Sequence, residues 1–422
     1  VSHRTLLAGA SCLALSFAVA LPAIAQDETA AENRRTFGEI VVTAQKREQS
    51  LQDVPVSVQA LDTQILEDAG IKDIKDLTIL TPGLLVTSTT SDAVTTARIR
   101  GVGTVGDNPG LESSVGVVID GIYRPRNGVG FGDLGEIERI EVLKGPQGTL
   151  FGKNTSAGVI NVITKAPEFE FGATGEVTVG NYGKWGLSGS LTGPIVEDKL
   201  AFRIYATQQE RDGFIDVNTG PTTTNVSRTA EKDADQDYWS VRGQLLYTPN
   251  ENIELRIIAD MSERDENCCA GVALPSANTG ANASATSALI NGLAGGRAVG
   301  VGLDTFDRVS FSNRGTEQQM KDKGISGELT WDLGDFDFVS VTGWRNWETV
   351  NGQDTDFTAL DIWWRPADGT NGREFTTFSQ EFRLQGASTF AGRDLNWLVG
   401  VFYADEELNS QDRLLYGADY YR

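Results

Sequence analysis

The side chains that most often carry out catalysis or bind metals are scarce in this sequence. Its one histidine, His3, lies in a segment that we expect to be removed after export. Without a histidine, the remaining chain cannot form a Ser-His-Asp or Cys-His nucleophile system, a histidine-ligated zinc site or a histidine-ligated haem. We therefore expect no catalytic residues, no metal site and no cofactor, and we predict that the protein is not an enzyme.

Two glycine-rich motifs resemble nucleotide sites but lack parts that such sites need. Gly101 to Gly106 has the G-x-G-x-x-G spacing, yet turn residues follow it where a dinucleotide site requires a helix. Gly148 to Asn154 is one residue too short for a phosphate-binding loop, and an asparagine stands where the loop needs Ser or Thr. For the adjacent Cys268 and Cys269 we expect free or intermolecularly paired thiols rather than a strained disulfide between neighbours.

The charge balance excludes nucleic acid as a partner. Asp and Glu total 58 against 36 Lys and Arg, which gives a formal net charge of −22. A surface that follows phosphates needs an excess of basic residues. Acidic loop clusters such as Glu263 to Glu266 can in principle bind calcium, but a solvated loop is the simpler interpretation.

The first 25 residues have the pattern of a secretory signal peptide. Arg4 precedes an apolar stretch from Leu6 to Ala20, and the small residues Ala23 and Ala25 form a cleavage pattern before Gln26. The alternative, a membrane anchor, is less favoured because the apolar stretch is shorter than the roughly 20 residues that a spanning helix needs. No later stretch is long enough either, so we expect any membrane-spanning segments to be strands.

Residues 26–50 are predicted to form a flexible polar arm that contains one short apolar run, Glu39 to Ala44. This β-prone run is either the first strand of the following domain or a peptide that adds as a strand to the sheet of a partner.

Residues 51–165 are predicted to form a compact α+β domain that is rich in glycine. Asp62 can cap a helix that ends near Gly70, and Ile74, Leu77 and Leu80 have helical spacing. Asp120-Gly121 is a hairpin signal between two apolar runs. The predicted strands are Leu84 to Thr87, Thr95 to Arg100, Val115 to Ile119, Ile137 to Leu143 and Gly158 to Thr164.

Residues 166–422 are predicted to form antiparallel strands of a transmembrane β-barrel. Segments of about ten residues alternate apolar and polar side chains, which suits a strand with one face in lipid, although a soluble sandwich gives the same alternation. All eight tryptophans and eight of the nine tyrosines follow residue 181. Because barrels carry aromatic girdles at both membrane interfaces, this placement favours the barrel. The alternating runs are centred on residues 200–207, 239–247, 253–261 and 395–403.

Several motifs resemble those of TonB-dependent outer-membrane receptors. The segment from Ile137 through Gly152 to Lys165 is similar to the plug signature of this family. Arg98 to Gly103 and Val118 to Gly121 resemble two further plug motifs. The run Glu39, Ile40, Val41, Val42, Thr43 and Ala44 resembles the TonB box.

The resemblance implies a plug inside a 22-stranded barrel in the outer membrane of a Gram-negative bacterium. It further implies energy-coupled uptake of a scarce ligand, most often a ferric siderophore, with outer-membrane lipid around the barrel. The TonB-ExbB-ExbD inner-membrane complex would pull on the TonB box and remodel the plug. Carbohydrate, cobalamin or haem uptake is an alternative within the family. A surface receptor that captures a ligand without transport also fits the sequence, and an extracellular enzyme on a β-scaffold fits it more remotely.

The resemblance also suggests which plug residues to examine. Arg100, Glu138, Arg139 and Glu141 are candidates for charge pairs that hold the plug reversibly in the barrel, or else they only solvate plug strands. Tyr123, Arg124 and Arg126 are candidates for contact with an anionic or aromatic ferric chelate, or else they form salt bridges to the wall.

The sequence departs from the family pattern at two points. Only a short arm separates Gln26 from Glu39, so we do not expect an additional N-terminal signalling domain. We expect about ten to twelve strands after Lys165, roughly half of the family's barrel, which suggests a fragment of a longer gene product.

Overall fold

The computed structural model describes residues 40–47, 49–88, 94–104, 111–124, 134–219, 231–271, 305–390 and 392–420. The predicted signal peptide, Glu39 and Arg126 therefore lie outside the described residues. Within these ranges, every helix is too short to cross a membrane.

The described residues from 40 to 165 form a small α+β unit, in which we call residues 40–50 the arm and residues 51–165 the plug. Its elements are β1 (Val41–Val42), β2 (Gln49–Ser50), β3 (Val58–Asp62), α1 (Thr63–Asp68), a 3-10 turn (Ile74–Asp76), α2 (Leu77–Leu80), β4 (Leu84–Ser88), β5 (Thr95–Ile99), β6 (Val115–Ile119), β7 (Ile122–Arg124), β8 (Ile137–Lys144), α3 (Gly148–Phe151) and β9 (Gly158–Thr164). The central sheet has the strand order β3-β8-β9-β6-β7, in which β6 and β9 are parallel and the other pairs antiparallel. Both faces of the middle strands are buried, since the consecutive residues Ile140 to Leu143 of β8 and Val159 and Ile160 of β9 have no solvent exposure.

Local sequence signals set the ends of these plug elements. The side chain of Asp62 accepts a hydrogen bond from the amide of Ile65 at 2.9 Å and so caps α1. Asp120 and Gly121 both have positive φ, at 47° and 78°, and join β6 to β7 in a tight hairpin. Both features agree with the predictions from the sequence.

Nine long strands form one antiparallel sheet, which we call the wall, and each is hydrogen-bonded to the next wall strand along the chain. Side chains alternate between its two faces: Arg203 is 4% exposed and contacts the plug, whereas the adjacent Ile204 is 48% exposed on the other face. The wall strands are β10 (Gly172–Val179), β11 (Trp185–Val196), β12 (Leu200–Arg211), β15 (Gln236–Asn250), β16 (Ile253–Asn267), β18 (Glu317–Asp332), β19 (Phe336–Asn351), β22 (Gly372–Phe390) and β23 (Arg393–Gln411).

The two ends of the wall differ in the length of their connections. At one end, strands are joined by tight turns such as residues 251–252 and 333–335. At the other end, the connections are long and include residues 268–316 and 352–371. Outer-membrane barrels have short periplasmic turns and long extracellular loops, so the tight turns mark the periplasmic end.

Among the described residues, six short strands lie outside the wall and the plug, in the long connections and after β23. They are β13 (Ile215–Asn218), β14 (Lys232–Asp233), β17 (Val309–Phe311), β20 (Gln353–Asp354), β21 (Trp363–Arg365) and β24 (Leu415–Tyr416). They form two three-stranded sheets, with the orders β14-β13-β17 and β20-β21-β24.

The wall confirms the alternating strands, but one of them is longer than predicted. The described residues contain nine wall strands, and the expected number of ten to twelve strands after Lys165 stays a prediction. The run predicted at residues 253–261 continues in β16 to Asn267. Apolar alternation marks only the part of a strand that contacts lipid, and a strand can continue beyond it with polar side chains on both faces.

Candidate functional site

The segment that resembles the TonB box is docked on the plug. Strand β1 pairs with β2, with Val41 opposite Ser50 and Val42 opposite Gln49. Val42 and Ala44 are buried against an apolar cluster that contains Leu143 of β8. Ile40 and Val41 remain exposed at 39% and 42%. In this conformation the segment is a strand of its own domain, and it still offers a partly exposed end.

A buried carboxylate holds this segment at Thr43. The amide of Thr43 donates to Oε1 of Glu141 at 2.7 Å, and its hydroxyl lies 3.1 Å from the same atom. The side chain of Glu141 has no solvent exposure, and its charge is balanced by Nε of Arg139 at 2.9 Å. Nδ2 of Asn161 donates to Oε2 of Glu141 at 3.1 Å. The buried Glu141 of the plug sheet therefore binds the arm at Thr43.

Lys46 joins the arm to the wall. Its backbone has a positive φ of 61°, which turns the chain back towards β2. Its Nζ lies 3.2 Å from Oε2 of Glu381 in β22 and 4.9 Å from the centre of the Phe151 ring. Both side chains of the ion pair are mostly buried, at 13% and 17% exposed. The arm thus contacts the plug through Thr43 and the wall through Lys46.

The structure places the four predicted plug–wall charges within the plug. Arg139 pairs with Glu138 and Glu141. Nη2 of Arg100 donates to Oγ of Ser57 at 3.3 Å. In the described residues, the hydrogen bonds and ion pairs of these four side chains are made within the plug or with Thr43 of the arm. Glu141 and Arg139 contact Thr43, whereas Glu138 and Arg100 contact other plug residues, so the expected pairing with the wall stays a prediction.

Other charged residues connect the plug to the wall. Most of the wall residues in these ion pairs occupy polar positions of the alternating strands. This alternation is the sequence signal that could have indicated the wall residues. The ion pairs are Lys46–Glu381 (3.2 Å), Lys72–Glu176 (2.7 Å), Asp73–Arg264 (3.7 Å), Asp120–Arg256 (3.6 Å), Glu136–Arg203 (2.7 Å) and Lys153–Glu406 (3.1 Å).

The described candidates for ligand contact lie in β7, next to the wall. Arg124 is only 6% exposed, and its Nε and Nη1 have no hydrogen-bond partner. It lines a cavity of about 10 Å³ together with Arg242 and Asp260 of the wall. Tyr123 is half-buried and packs on the apolar cluster beneath the arm. A direct contact between Arg124 and an external ligand is therefore not available in this conformation.

The extracellular connections contain a buried carboxylate that sequence reasoning did not identify. Oδ2 of Asp354 accepts hydrogen bonds from Oγ of Ser312 at 2.9 Å and from the amide of Asn313 at 3.0 Å, whereas Oδ1 is buried without a partner. Burial, with Asp356 nearby, raises the pKa of Asp354 to about 8. Burial also raises the pKa of Asp356 to about 6. Asp354 joins the connection before β18 to the one after β19.

A buried ion pair reinforces the same region. Nε of Arg314 donates to Oδ1 of Asp361 at 3.0 Å, and its guanidinium lies 4.3 Å from the centre of the Trp364 ring. Cys268 and Cys269 form a disulfide with each other, where the sequence favoured separate thiols. Among the described residues, no group of three or more His, Cys, Asp or Glu side chains is arranged to hold a metal ion.

Comparison with known proteins agrees with this architecture. Residues 50–159 match the TonB-dependent Receptor Plug Domain family. The pesticin receptor of Yersinia pestis is 30% identical over 214 residues, which are 50% of this chain and 31% of the receptor. The vitamin B12 transporter BtuB of Vibrio vulnificus is 32% identical over 156 residues, which are 36% of this chain and 24% of the transporter.

A solved structure extends the similarity to the wall. The ferric yersiniabactin uptake receptor FyuA from Yersinia pestis matches with a TM-score of 0.63 and 18% identity, over 85% of this chain and 50% of the receptor. This chain thus spans half or less of the length of each of these relatives. Residues 50–159 therefore match the plug domain of TonB-dependent receptors, and the described residues share with FyuA the fold of a plug beside strands of a barrel wall.

Proposed function

We propose that this protein imports a ferric siderophore across the outer membrane in a TonB-dependent manner. The observation that carries the proposal is the docked arm, which links a partly exposed strand to the central sheet of a plug through Glu141. The name of FyuA as a ferric yersiniabactin uptake receptor supports the iron cargo. As working boundaries we place the arm at residues 26–50, the plug at 51–165 and the wall at 166–422.

The coupling step follows from the chemistry of the arm. TonB, energised with ExbB and ExbD, would add a strand to the exposed end at Ile40 and Val41 and so gain main-chain hydrogen bonds. A pull on this segment reaches β8 through the hydrogen bonds between Thr43 and Glu141. Since the backbone of a closed barrel is fully hydrogen-bonded, passage requires movement of the plug rather than of the wall.

We propose transport rather than catalysis. The relatives are named as receptors or transporters, and the chain after the predicted signal peptide has no histidine for the common nucleophilic mechanisms. A second candidate cargo is cobalamin, because one relative is named a vitamin B12 transporter.

The test is uptake by an iron-starved Gram-negative host that lacks its own receptors and expresses the gene product containing this chain. The probes are radiolabelled iron(III) bound to a hydroxamate, a catecholate or a phenolate chelator, and radiolabelled cobalamin. We expect uptake of at least one ferric chelate that a protonophore abolishes.

Deletion of residues 39–44 separates transport from binding. It should abolish uptake but leave binding of the same chelate at the cell surface intact. Uptake that survives the deletion or the protonophore would rule out energy coupling through the arm. Uptake of cobalamin alone would replace the iron cargo by the second candidate.

A further inference from the structure

Two cavities with charged side chains in their linings lie between the plug and the first strands of the wall. The outer cavity has a volume of about 480 Å³, and its lining includes Lys72, Asp73, Lys184, Arg211 and Asp235. The inner cavity has a volume of about 330 Å³, and its lining includes Lys72, Glu67, Lys165, Glu176 and Ser188. Charged side chains of both signs line each cavity, which suits a hydrophilic permeant.

The two cavities follow one another from the outside towards the periplasm. Lys184 and Arg211 of the outer cavity lie at the ends of wall strands that lead into extracellular connections. Lys165 of the inner cavity leaves the plug towards β10, whose first residue, Gly172, lies at the end with tight turns. Lys72 lines both cavities, so its side chain stands where one cavity meets the other.

The Lys72–Glu176 ion pair is more exposed than the other ion pairs between plug and wall. Nζ of Lys72 lies 2.7 Å from Oε2 of Glu176, and both side chains are 49% exposed. By contrast, the Glu136–Arg203 pair has side-chain exposures of 12% and 4%. Water screens the charges of an exposed pair, so the pair separates easily, whereas breaking a buried pair leaves a desolvated charge without its partner. The plug therefore separates from the wall most easily at Lys72.

We propose that the Lys72–Glu176 ion pair is the gate of a permeation route that runs through the outer and inner cavities along β10, β11 and β12. This proposal rests on the transport function proposed above and adds a location to it. An anionic group on the ligand can replace Glu176 beside Lys72, so that the ion pair opens by exchange. Because Lys72 lines both cavities, separation of this pair joins them, and the movement of the plug proposed above would begin at this contact.

Tethers at two plug–wall ion pairs test the route. One variant carries Lys72→Cys with Glu176→Cys, and a matched control carries Lys153→Cys with Glu406→Cys at another plug–wall pair. Both variants also carry Cys268→Ala and Cys269→Ala. A bis-methanethiosulfonate reagent bridges the introduced cysteines in cells, and dithiothreitol later cleaves the bridge. Uptake is measured with the radiolabelled iron(III) chelates named above.

We expect loss of uptake with the tether between positions 72 and 176, and recovery after cleavage. We expect unchanged uptake with the tether between positions 153 and 406. Loss with both tethers would mean that the plug moves as a whole, and unchanged uptake with both would mean that the route lies elsewhere. Either result overturns the proposal.

A second measurement does not depend on the ligand. Ser188 lines the inner cavity, behind the ion pair. In cells that carry Ser188→Cys in the background without the native cysteines, we expect fluorescein maleimide to label position 188 faster when Lys72→Ala is added. Lys153→Ala should leave the labelling rate unchanged. Equal labelling rates in the Lys72→Ala and Lys153→Ala variants would overturn the proposed gate, even if no chelate is transported. Failure of uptake alone would instead count against the proposed transport function.

Discussion

At the scale of single residues, Glu141 decides whether the arm stays docked. Glu141→Gln replaces an oxygen that accepts hydrogen bonds by an NH₂ group that faces Thr43, Arg139 or Asn161. It also leaves the partly buried Arg139 with a weaker partner. Breaking a buried pair costs about 3–5 kcal/mol, so we expect the arm to detach. Limited proteolysis of the purified protein should then cut within residues 40–50 much faster than in the unchanged protein.

Glu138→Gln is the matched control for this prediction. Glu138 contacts the same arginine, but its side chain is 47% exposed and makes no bond to Thr43. Proteolysis of the arm should therefore change little. If both variants release the arm equally, the charge of Arg139 and not the bonds to Thr43 holds it.

The raised pKa of Asp354 predicts how the stability of the extracellular connections depends on pH. Its pKa is raised from 3.8 to about 8 in the folded protein, so the folded state binds more protons than the unfolded state between these values. Stability must therefore fall as pH rises from about 4 to about 8, and level off above that. Asp354→Asn keeps an acceptor for Ser312 and Asn313 and removes the charge. We expect it to slow proteolysis of residues 312–361 at pH 8 and to have little effect near pH 4.

The control for this prediction is Asp368→Asn. Asp368 is an exposed carboxylate of the same extracellular connection, and a hydrogen bond from the Thr370 hydroxyl lowers its pKa. The Asp368→Asn variant should therefore not slow proteolysis of the connection at pH 8. Faster proteolysis of Asp354→Asn at pH 8 would show that the folded protein needs the charge.

Single residues also show what the sequence could not indicate. Thr43 and Glu141 are 98 positions apart, and no local pattern connects them. The charges of β8 stood out, but whether they face the arm or the wall depends on the position of β8 in the sheet. Arg124 is a candidate for ligand contact from the sequence, but its burial depends on wall residues that follow more than 100 positions later.

At the scale of elements, adjacent positions of a wall strand lie in different environments. One side chain is on the outer face, and the next is on the face towards the plug. Val241 of β15 pairs with Ala206 and Met261 on the outer face, whereas the adjacent Ser240 is on the face towards the plug. We expect Val241→Arg to destabilise the folded barrel by about 2–4 kcal/mol if it lies near the bilayer centre. Ser240→Arg should cost much less, because the inner face is polar. Unfolding by urea in lipid vesicles, followed by gel mobility without boiling, measures the difference.

The outcome separates a membrane wall from a soluble sheet. In a soluble sandwich, the outer face would contact water and accept arginine, and the inward position would be the sensitive one. A larger loss for Ser240→Arg than for Val241→Arg would therefore contradict the membrane assignment.

The boundaries of a strand could be predicted where its own residues form a β-branched run with a clear end. The predicted strands at residues 115–119 and 158–164 coincide with β6 and β9, since β-branched runs end there at Asp120 and Lys165. The short strands β13 and β21 were not predicted. They are stabilised by pairing with chain segments that are distant in sequence, such as Val309 to Phe311 with β13. Such pairing leaves no periodic pattern in a strand of three or four residues.

At the scale of the whole molecule, the plug and the wall could be assigned from the sequence, but their interface could not. The plug contains several sequence motifs, and the wall strands alternate apolar and polar residues. Both signals can be read from short stretches of sequence. The interface includes ion pairs between residues that are often more than 100 positions apart, such as Lys72 and Glu176. These pairs differ in burial, and burial decides how firmly each one holds the plug.

The contrast between buried and exposed ion pairs gives a last prediction, which concerns retention of the plug. Arg203 is 4% exposed and binds Glu136, Glu168 and the carbonyl of Ala166, at distances from 2.7 to 2.8 Å. Arg203→Ala leaves the mostly buried Glu136 without this partner, at a cost of about 3–5 kcal/mol. We expect the plug to loosen and cells to become sensitive to vancomycin, which is too large for porins. Lys72→Ala removes an exposed pair worth about 0–1 kcal/mol and should leave vancomycin resistance unchanged. Equal sensitivity of both variants would mean that burial does not determine how the plug is held.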